Sequence, residues 1–147
     1  MKTKILFFSL FIGLFVLTTA CNNDDDPKPP TELIGKWKCL GFGNTNGVFK
    51  VIEPNEEDCE KCYTIDFKDN YEFFVKSSYN SMSGVFVVKN SSLQLKKIIM
   101  TDVYEEGDGT PYTESLKKIS HYKIEKGNLQ LFYSDTEYLL FKPLKLK

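Results

Sequence analysis

Residues 119–141 read Ile119-Ser120-His121-Tyr122-Lys123-Ile124-Glu125-Lys126-Gly127-Asn128-Leu129-Gln130-Leu131-Phe132-Tyr133-Ser134-Asp135-Thr136-Glu137-Tyr138-Leu139-Leu140-Phe141. Tyr122 and Ile124 alternate with Lys123 and Glu125. After the turn at 125–128, Leu129, Leu131 and Tyr133 alternate with Gln130 and Ser134. A second turn at 134–137 leads to Leu139 and Phe141 on the same inward parity. A period of two, broken at Gly, Asn and Asp, specifies antiparallel strands with one buried face. A meander of this kind needs more sheet to pack against, and the chain before it supplies the same pattern.

Working outward, Tyr63, Ile65 and Phe67 alternate with Thr64, Asp66 and Lys68. A turn at 68–70 follows, then Tyr71, Phe73 and Val75 alternate with Glu72 and Lys76, which leaves Phe74 on the outward parity. Residues 77–83 are polar and read as a loop or irregular edge; 84–89 form another strand, and Asn90-Ser91-Ser92 fits a hairpin turn better than a glycosylation sequon. Leu93 and Leu95 point inward. Lys96-Lys97 breaks the parity before Ile98 and Met100, so a β-bulge is expected there. Residues 111–118 are the one helix candidate, with Pro111 in the first turn and Lys117 and Lys118 in the last.

The opening segment Leu33-Ile34-Gly35-Lys36-Trp37-Lys38-Cys39-Leu40 puts Trp37 and Cys39 inward and turns Lys36 and Lys38 to water. Turn residues at 41–47 and a short strand within 48–52 follow. Many short, hairpin-linked strands define an all-β fold, a small antiparallel β-barrel or strongly curved sheet with one short helix. Aromatic residues make up 14% of the chain, enough large side chains for a small domain to build its core.

The first 20 of the 147 residues do not belong to that domain. Lys2 and Lys4 precede an apolar run over 5–17, and Thr18-Thr19-Ala20 is a small-residue cleavage region. This is a secretory signal, too short for a stable membrane span. Cys21 follows directly, as in bacterial lipoprotein signals, so residue 21 is expected to be lipidated and to anchor the protein to a membrane. Residues 21–32 are an acidic and Pro-rich tether, Asp24 to Asp26 followed by Pro27, Pro29 and Pro30, and residues 33–147 are the barrel domain. Without residues 1–20, 17 basic residues face 20 acidic ones, a formal net charge of −3, which argues against nucleic acid as a partner.

The acidic cluster after Cys21 resembles the surface-export signal of Bacteroidetes lipoproteins. That resemblance implies an outer-membrane lipoprotein facing outward, with a periplasm-facing placement as the alternative. The second half of the chain resembles META-type domains. Gly84 and the strand to Asn90, then Leu93-Gln94-Leu95, Met100-Thr101, Leu116, the series Tyr122, Ile124, Leu129, Leu131, and finally Leu139, Phe141 and Pro143 follow that family's motif order. Leu33, Gly35 and Trp37 match its L-x-G-x-W opening, which lipocalin-like barrels share. Asn80-Ser81-Met82-Ser83 stands where better-known members carry G-C-N. The resemblance implies a small β-barrel of undefined function and brings no catalytic residues or cofactor with it.

Three cysteines remain after Cys21. In an exported protein they favour one disulfide, joining Cys39 to Cys59 or Cys62, or Cys59 to Cys62. The C-x-x-C is also a zinc half-site, but a set of ligands would need Cys39 and a fourth group, and His121 sits on the outward parity, so no metal is expected. Asp102, Glu105, Glu106 and Asp108 lack a calcium-loop order and read as a solvated acidic loop. The functional expectation is a non-enzymatic surface binding module for a protein, glycan or small ligand, with Phe74 and Tyr79 as the exposed aromatics to contact it. The rival is a hydrolase or redox enzyme using His121, the acidic-loop carboxylates or the Cys59/Cys62 pair, which requires those groups to converge in one pocket.

Overall fold

The structure is a computed structural model and describes residues 28–144; Cys21 and the signal segment lie outside the described residues. Nine antiparallel strands and one helix follow in the order β1 (Gly35–Asn44), β2 (Phe49–Val51), β3 (Thr64–Phe67), β4 (Glu72–Lys76), β5 (Ser81–Lys89), β6 (Ser92–Met100), α1 (Gly109–Lys117), β7 (His121–Glu125), β8 (Asn128–Phe132) and β9 (Glu137–Pro143). The sheet runs β2-β1-β3-β4-β5-β6-β7-β8-β9, and β9 also pairs with β1, so the sheet closes in a ring. On its other side β1 is shared: its first half pairs with β3 and its second half with β2. Among the described residues, an all-β architecture with a single short helix is therefore the observed fold.

The meander pairs as its parity requires, Tyr122 opposite Leu131 and Leu131 opposite Leu139. Leu129, Leu131, Leu139 and Phe141 are fully buried. On the outer face the same register aligns His121, Phe132 and Tyr138 in one cross-strand row. Phe132 is buried there, stacked on His121 with ring centroids 4.3 Å apart, and Tyr138 lies 5.2 Å beyond it. The next position in the row is Gly43, where an added Cβ would come within 2.5 Å of the Tyr138 ring, so only glycine fits beneath that aromatic.

The expected bulge is present. Ser83 pairs with Ile99 and Val85 with Lys96, so Gly84 alone faces Lys97 and Ile98. Lys97 takes a positive φ of 50°, and a Cβ on Gly84 would sit 2.5 Å from the Lys96 carbonyl oxygen. The polar stretch 77–83 divides more sharply than its composition indicates, into a tight turn at 77–80 and the first three residues of β5. The helix begins two residues earlier than its proline placed it.

β6 and β7 meet only at Ser92 and His121, because β7 runs away past the β5–β6 turn. The helix α1 turns Tyr112 and Leu116 into the core. Tyr112 packs edge-on against Tyr63, with centroids 5.2 Å apart, and at 6.3 Å from Phe141. The start of the described chain closes the opposite end: Leu33 is fully buried, its carbonyl accepts from the Trp37 indole at 3.0 Å, and Glu32 accepts from the Tyr122 hydroxyl at 3.4 Å. The two ends are thus built differently, one from apolar side chains and the other from three loops.

Candidate functional site

Those loops are residues 52–63, 77–80 and 101–108, gathered at the end where β1 and β4 finish. Four polar side chains hold them. Glu105 is buried, and its Oε1 accepts from the Ser77 hydroxyl, from Ser78 Oγ at 3.2 Å and from the backbone amides of Tyr79 and Asn80, each at 3.0 Å. Burial by itself would raise the Glu105 pKa; the donors from Ser77, Tyr79 and Asn80 outweigh it and hold the carboxyl below its ordinary range. Asn80 continues the network: its amide donates to the Val103 carbonyl at 2.7 Å, and its Oδ1 accepts from Val103 N at 2.8 Å and Thr101 Oγ1 at 2.9 Å. One carboxylate and one amide thereby fasten the 101–108 loop onto the 77–80 turn.

Asp108 fastens the same loop to the 52–63 segment. Its carboxylate accepts from Lys50 Nζ at 2.6 Å and from the Glu53 amide at 2.9 Å, while its own amide donates to the Glu53 carbonyl at 2.9 Å. The Tyr63 hydroxyl donates to that same carbonyl at 2.7 Å. Burial pushes the Tyr63 hydroxyl pKa up. The acidic loop read from sequence as solvated is therefore mixed: Asp102 and Glu106 are exposed, whereas Glu105 and Asp108 are buried anchors. The physical reason is that irregular backbone at a barrel end has amides without ladder partners, and a carboxylate accepts several at once.

Lys38 overturns its sequence reading. It does lie on the outer face of β1, but it is fully buried because the loop carrying the two cysteines folds over it. Its ammonium donates to the carbonyls of Cys59 at 2.7 Å, Glu60 at 3.2 Å and Cys62 at 2.6 Å. Burial lowers the Lys38 pKa, partly opposed by the nearby Glu56. Cys59 and Cys62 are joined in a disulfide, with Cα atoms 5.4 Å apart. Cys39, on the inner face, is a free buried thiol whose pKa burial pushes far up. The three cysteines are thus split between two faces of β1, and the C-x-x-C sulfurs are bonded to each other.

Two hollows hold the aromatics offered by the sequence. A cleft of about 410 Å³ opens beside the disulfide, with Cys59 and Cys62 in its wall, Glu53, Asp58 and Glu106 at its margin, and Tyr79 at its rim. A shallower depression of about 330 Å³ lies on the outer face of β4, β5 and β6, where Phe74 and Ile99 flank Ser83 across the register. Phe74 is 47% exposed, Ile99 75% and Tyr79 58%, so both aromatics offered by the sequence are open to contact, in two separate hollows. His121 belongs to neither. Its Nδ1 lies 3.0 Å from the Ser120 hydroxyl and its ring rests on Phe132. The structure therefore does not bring His121, the acidic loop and the cysteine pair together. Periodicity could not have found Lys38, Asn80, Glu105 or Asp108. The one available signal was Asp108 before a helix, and even that carboxylate bonds Lys50 and Glu53 instead of capping α1.

No protein-family model matches the chain. A Tannerella forsythia protein described as "Putative lipoprotein" is 28% identical over 148 residues, covering 97% of each chain. Two solved structures resemble the fold. One is a Burkholderia xenovorans protein solved by NMR, 14% identical, with a TM-score of 0.60 over 76% of this chain and 83% of that chain. The other is a DUF4847 family protein from Bacteroides vulgatus, 16% identical, with a TM-score of 0.57 over 77% of this chain and 94% of that chain. At these identities the structural likeness is one of fold. Among the described residues no helix is long and apolar enough to cross a membrane.

Proposed function

We propose that the chain is a cell-envelope lipoprotein, anchored through a lipid on Cys21, whose barrel domain is a non-enzymatic binding module for a protein, glycan or small ligand. The exposed Phe74–Ile99 face carries this reading, because a solvent-facing pair of large apolar side chains over a shallow depression costs solubility and contributes nothing to the core. The Tannerella relative spans the N-terminal segment as well as the domain, which supports the anchor. The described chain also starts at the end opposite the loops, so a tether of residues 21–32 would leave the loop end facing away from the membrane. Outer-membrane location with an outward-facing domain, and kinship with META-type domains, belong to the same reading and rest on the acidic cluster at 24–26 and the motif order.

Pull-down from the native cell envelope with the soluble domain, wild type beside Phe74→Asp, tests the binding face. A partner held by the wild type and lost by the variant is expected; equal retention by both would remove the Phe74 face from the proposal. For the anchor, incorporation of a fatty-acid analogue should vanish in Cys21→Ala. Resistance to protease added to whole cells would remove the outward orientation while leaving the lipid.

A further inference from the structure

We propose that the Cys59–Cys62 bridge is a redox catch on a flap formed by residues 53–62, and that reduction by a dithiol releases the flap from Lys38 and reshapes the clefts on either side of it. The flap lies over the outer face of β1. Its start at Glu53 is pinned by Asp108 and the Tyr63 hydroxyl; beyond that the Lys38 ammonium on three carbonyls and an ion pair between Glu56 and Lys142 hold it to the wall, and the bridge closes the turn inside it. Lys142 stands opposite Lys38 in the β1–β9 register, so both cations hold the flap from the same patch of wall.

The carbonyls of Cys59, Glu60 and Cys62 converge on one nitrogen only while the chain between the cysteines turns tightly. The bridge enforces that turn by holding the two Cα atoms 5.4 Å apart. Once it opens, four residues regain conformational freedom, and the ammonium and one long backbone bond, from Cys62 N to the Cys59 carbonyl at 3.3 Å, are left to order the turn. A buried ammonium that loses carbonyl partners is strongly disfavoured, so Lys38 then moves to water as the flap lifts. Both neighbouring hollows change with it. Cys59, Cys62, Glu53 and Asp58 belong to the 410 Å³ cleft, while Asn55, Glu56 and Glu57 line a second one of about 290 Å³ against Leu40 and Val51.

The exchange balances within the pair. A thiolate of the dithiol attacks Sγ of the part-exposed Cys59, and the S–S bond breaks with its electron pair on Cys62, which takes a proton. The second thiol of the reagent then attacks the mixed disulfide and frees Cys59. Two electrons and two protons pass to the cysteines, and the dithiol becomes a disulfide. Cys39 stays outside this chemistry, on the inner face, with a thiol that burial keeps protonated.

The test is acetylation of the full-length protein by an amine-reactive ester, mapped by mass spectrometry with and without dithiothreitol. In the oxidised protein Lys38 should label far more slowly than Lys36. After reduction its rate should rise about tenfold or more as a local opening, with Lys36 unchanged and near-ultraviolet circular dichroism retained. Persistent protection of Lys38 once thiol titration shows the bridge open would overturn the proposal. So would labelling that appears only with loss of the near-ultraviolet signal, since the bridge would then be a staple of the whole domain. An oxidised Lys38→Met variant supplies the second arm. Amide exchange over 55–61 should rise toward that of the reduced wild type, and exchange unchanged from the oxidised wild type would show that the ammonium does not hold the flap.

Discussion

The meander of β7, β8 and β9 and the loop end around Glu105 are stabilised by different physics. In the meander, burial follows strand parity: Leu129, Leu131, Leu139 and Phe141 each remove apolar surface from water, worth about 1.5–3 kcal/mol apiece. Its strands β8 and β9 each have a hydrogen-bonded strand on either side. At the loop end the backbone has no ladder, and buried side chains of Lys38, Asn80, Glu105 and Asp108 take the place of a neighbouring strand. Apolar packing is additive and tolerant of sequence; a polar knot is neither, because each lost partner leaves a buried group unsatisfied.

This contrast can be broken at both ends. Phe141→Ala should give the largest loss, about 3–5 kcal/mol in chemical denaturation, since it opens a cavity beneath Tyr112 between β8 and β1. A loss under 1 kcal/mol would mean that the ring collapses around the gap. Glu105→Gln should cost less, about 2–3 kcal/mol, by weakening a charged acceptor of four donors. It also carries a pH signature. The Glu105 pKa is lowered on folding, so its contribution is fully present above its ordinary value of 4.5 and is lost as pH falls through the lower folded value. Wild type should therefore shed stability in acid that the Gln variant never had, and parallel pH profiles would exclude the carboxylate as the anchor.

Cys59→Ser comes next at about 2 kcal/mol, because the bridge closes only a four-residue loop and restricts the unfolded chain little. Phe74→Asp should be smallest, about 1 kcal/mol or less in thermal unfolding, as expected of an exposed strand position. A large loss there would show that Phe74 belongs to the fold rather than to a surface for contact.

Gly84 and His121 show where sequence reading succeeds and where it stops. The broken parity at Lys96-Lys97 was enough to expect a bulge, yet the strict need for Gly84 opposite it arises only when the Lys96 carbonyl swings to within 2.5 Å of a would-be Cβ. His121 was assigned an outward position by parity, which is right, but its role as one plate of an aromatic row depends on the β7–β8 register placing Phe132 beside it. Phe74 and Tyr79 could be named from parity and turn composition; that they open onto separate hollows could not.

Most of the strands, their inward faces and the short helix followed from the order of residues alone, because a period of two is a local property that each strand carries itself, although β1 runs on through 41–44 and β5 starts at 81, both read as turn or loop. The closure of β9 on β1, the choice of Cys62 over Cys39 as the partner of Cys59, and the burial of Lys38, Glu105 and Asp108 were decided by the tertiary structure. The burials depend on groups brought together from far along the chain, 21 positions for Lys38 with Cys59, 28 for Glu105 with Ser77 and 55 for Asp108 with Glu53. A charged side chain reads as solvated until the fold supplies the carbonyls or amides that let it be buried.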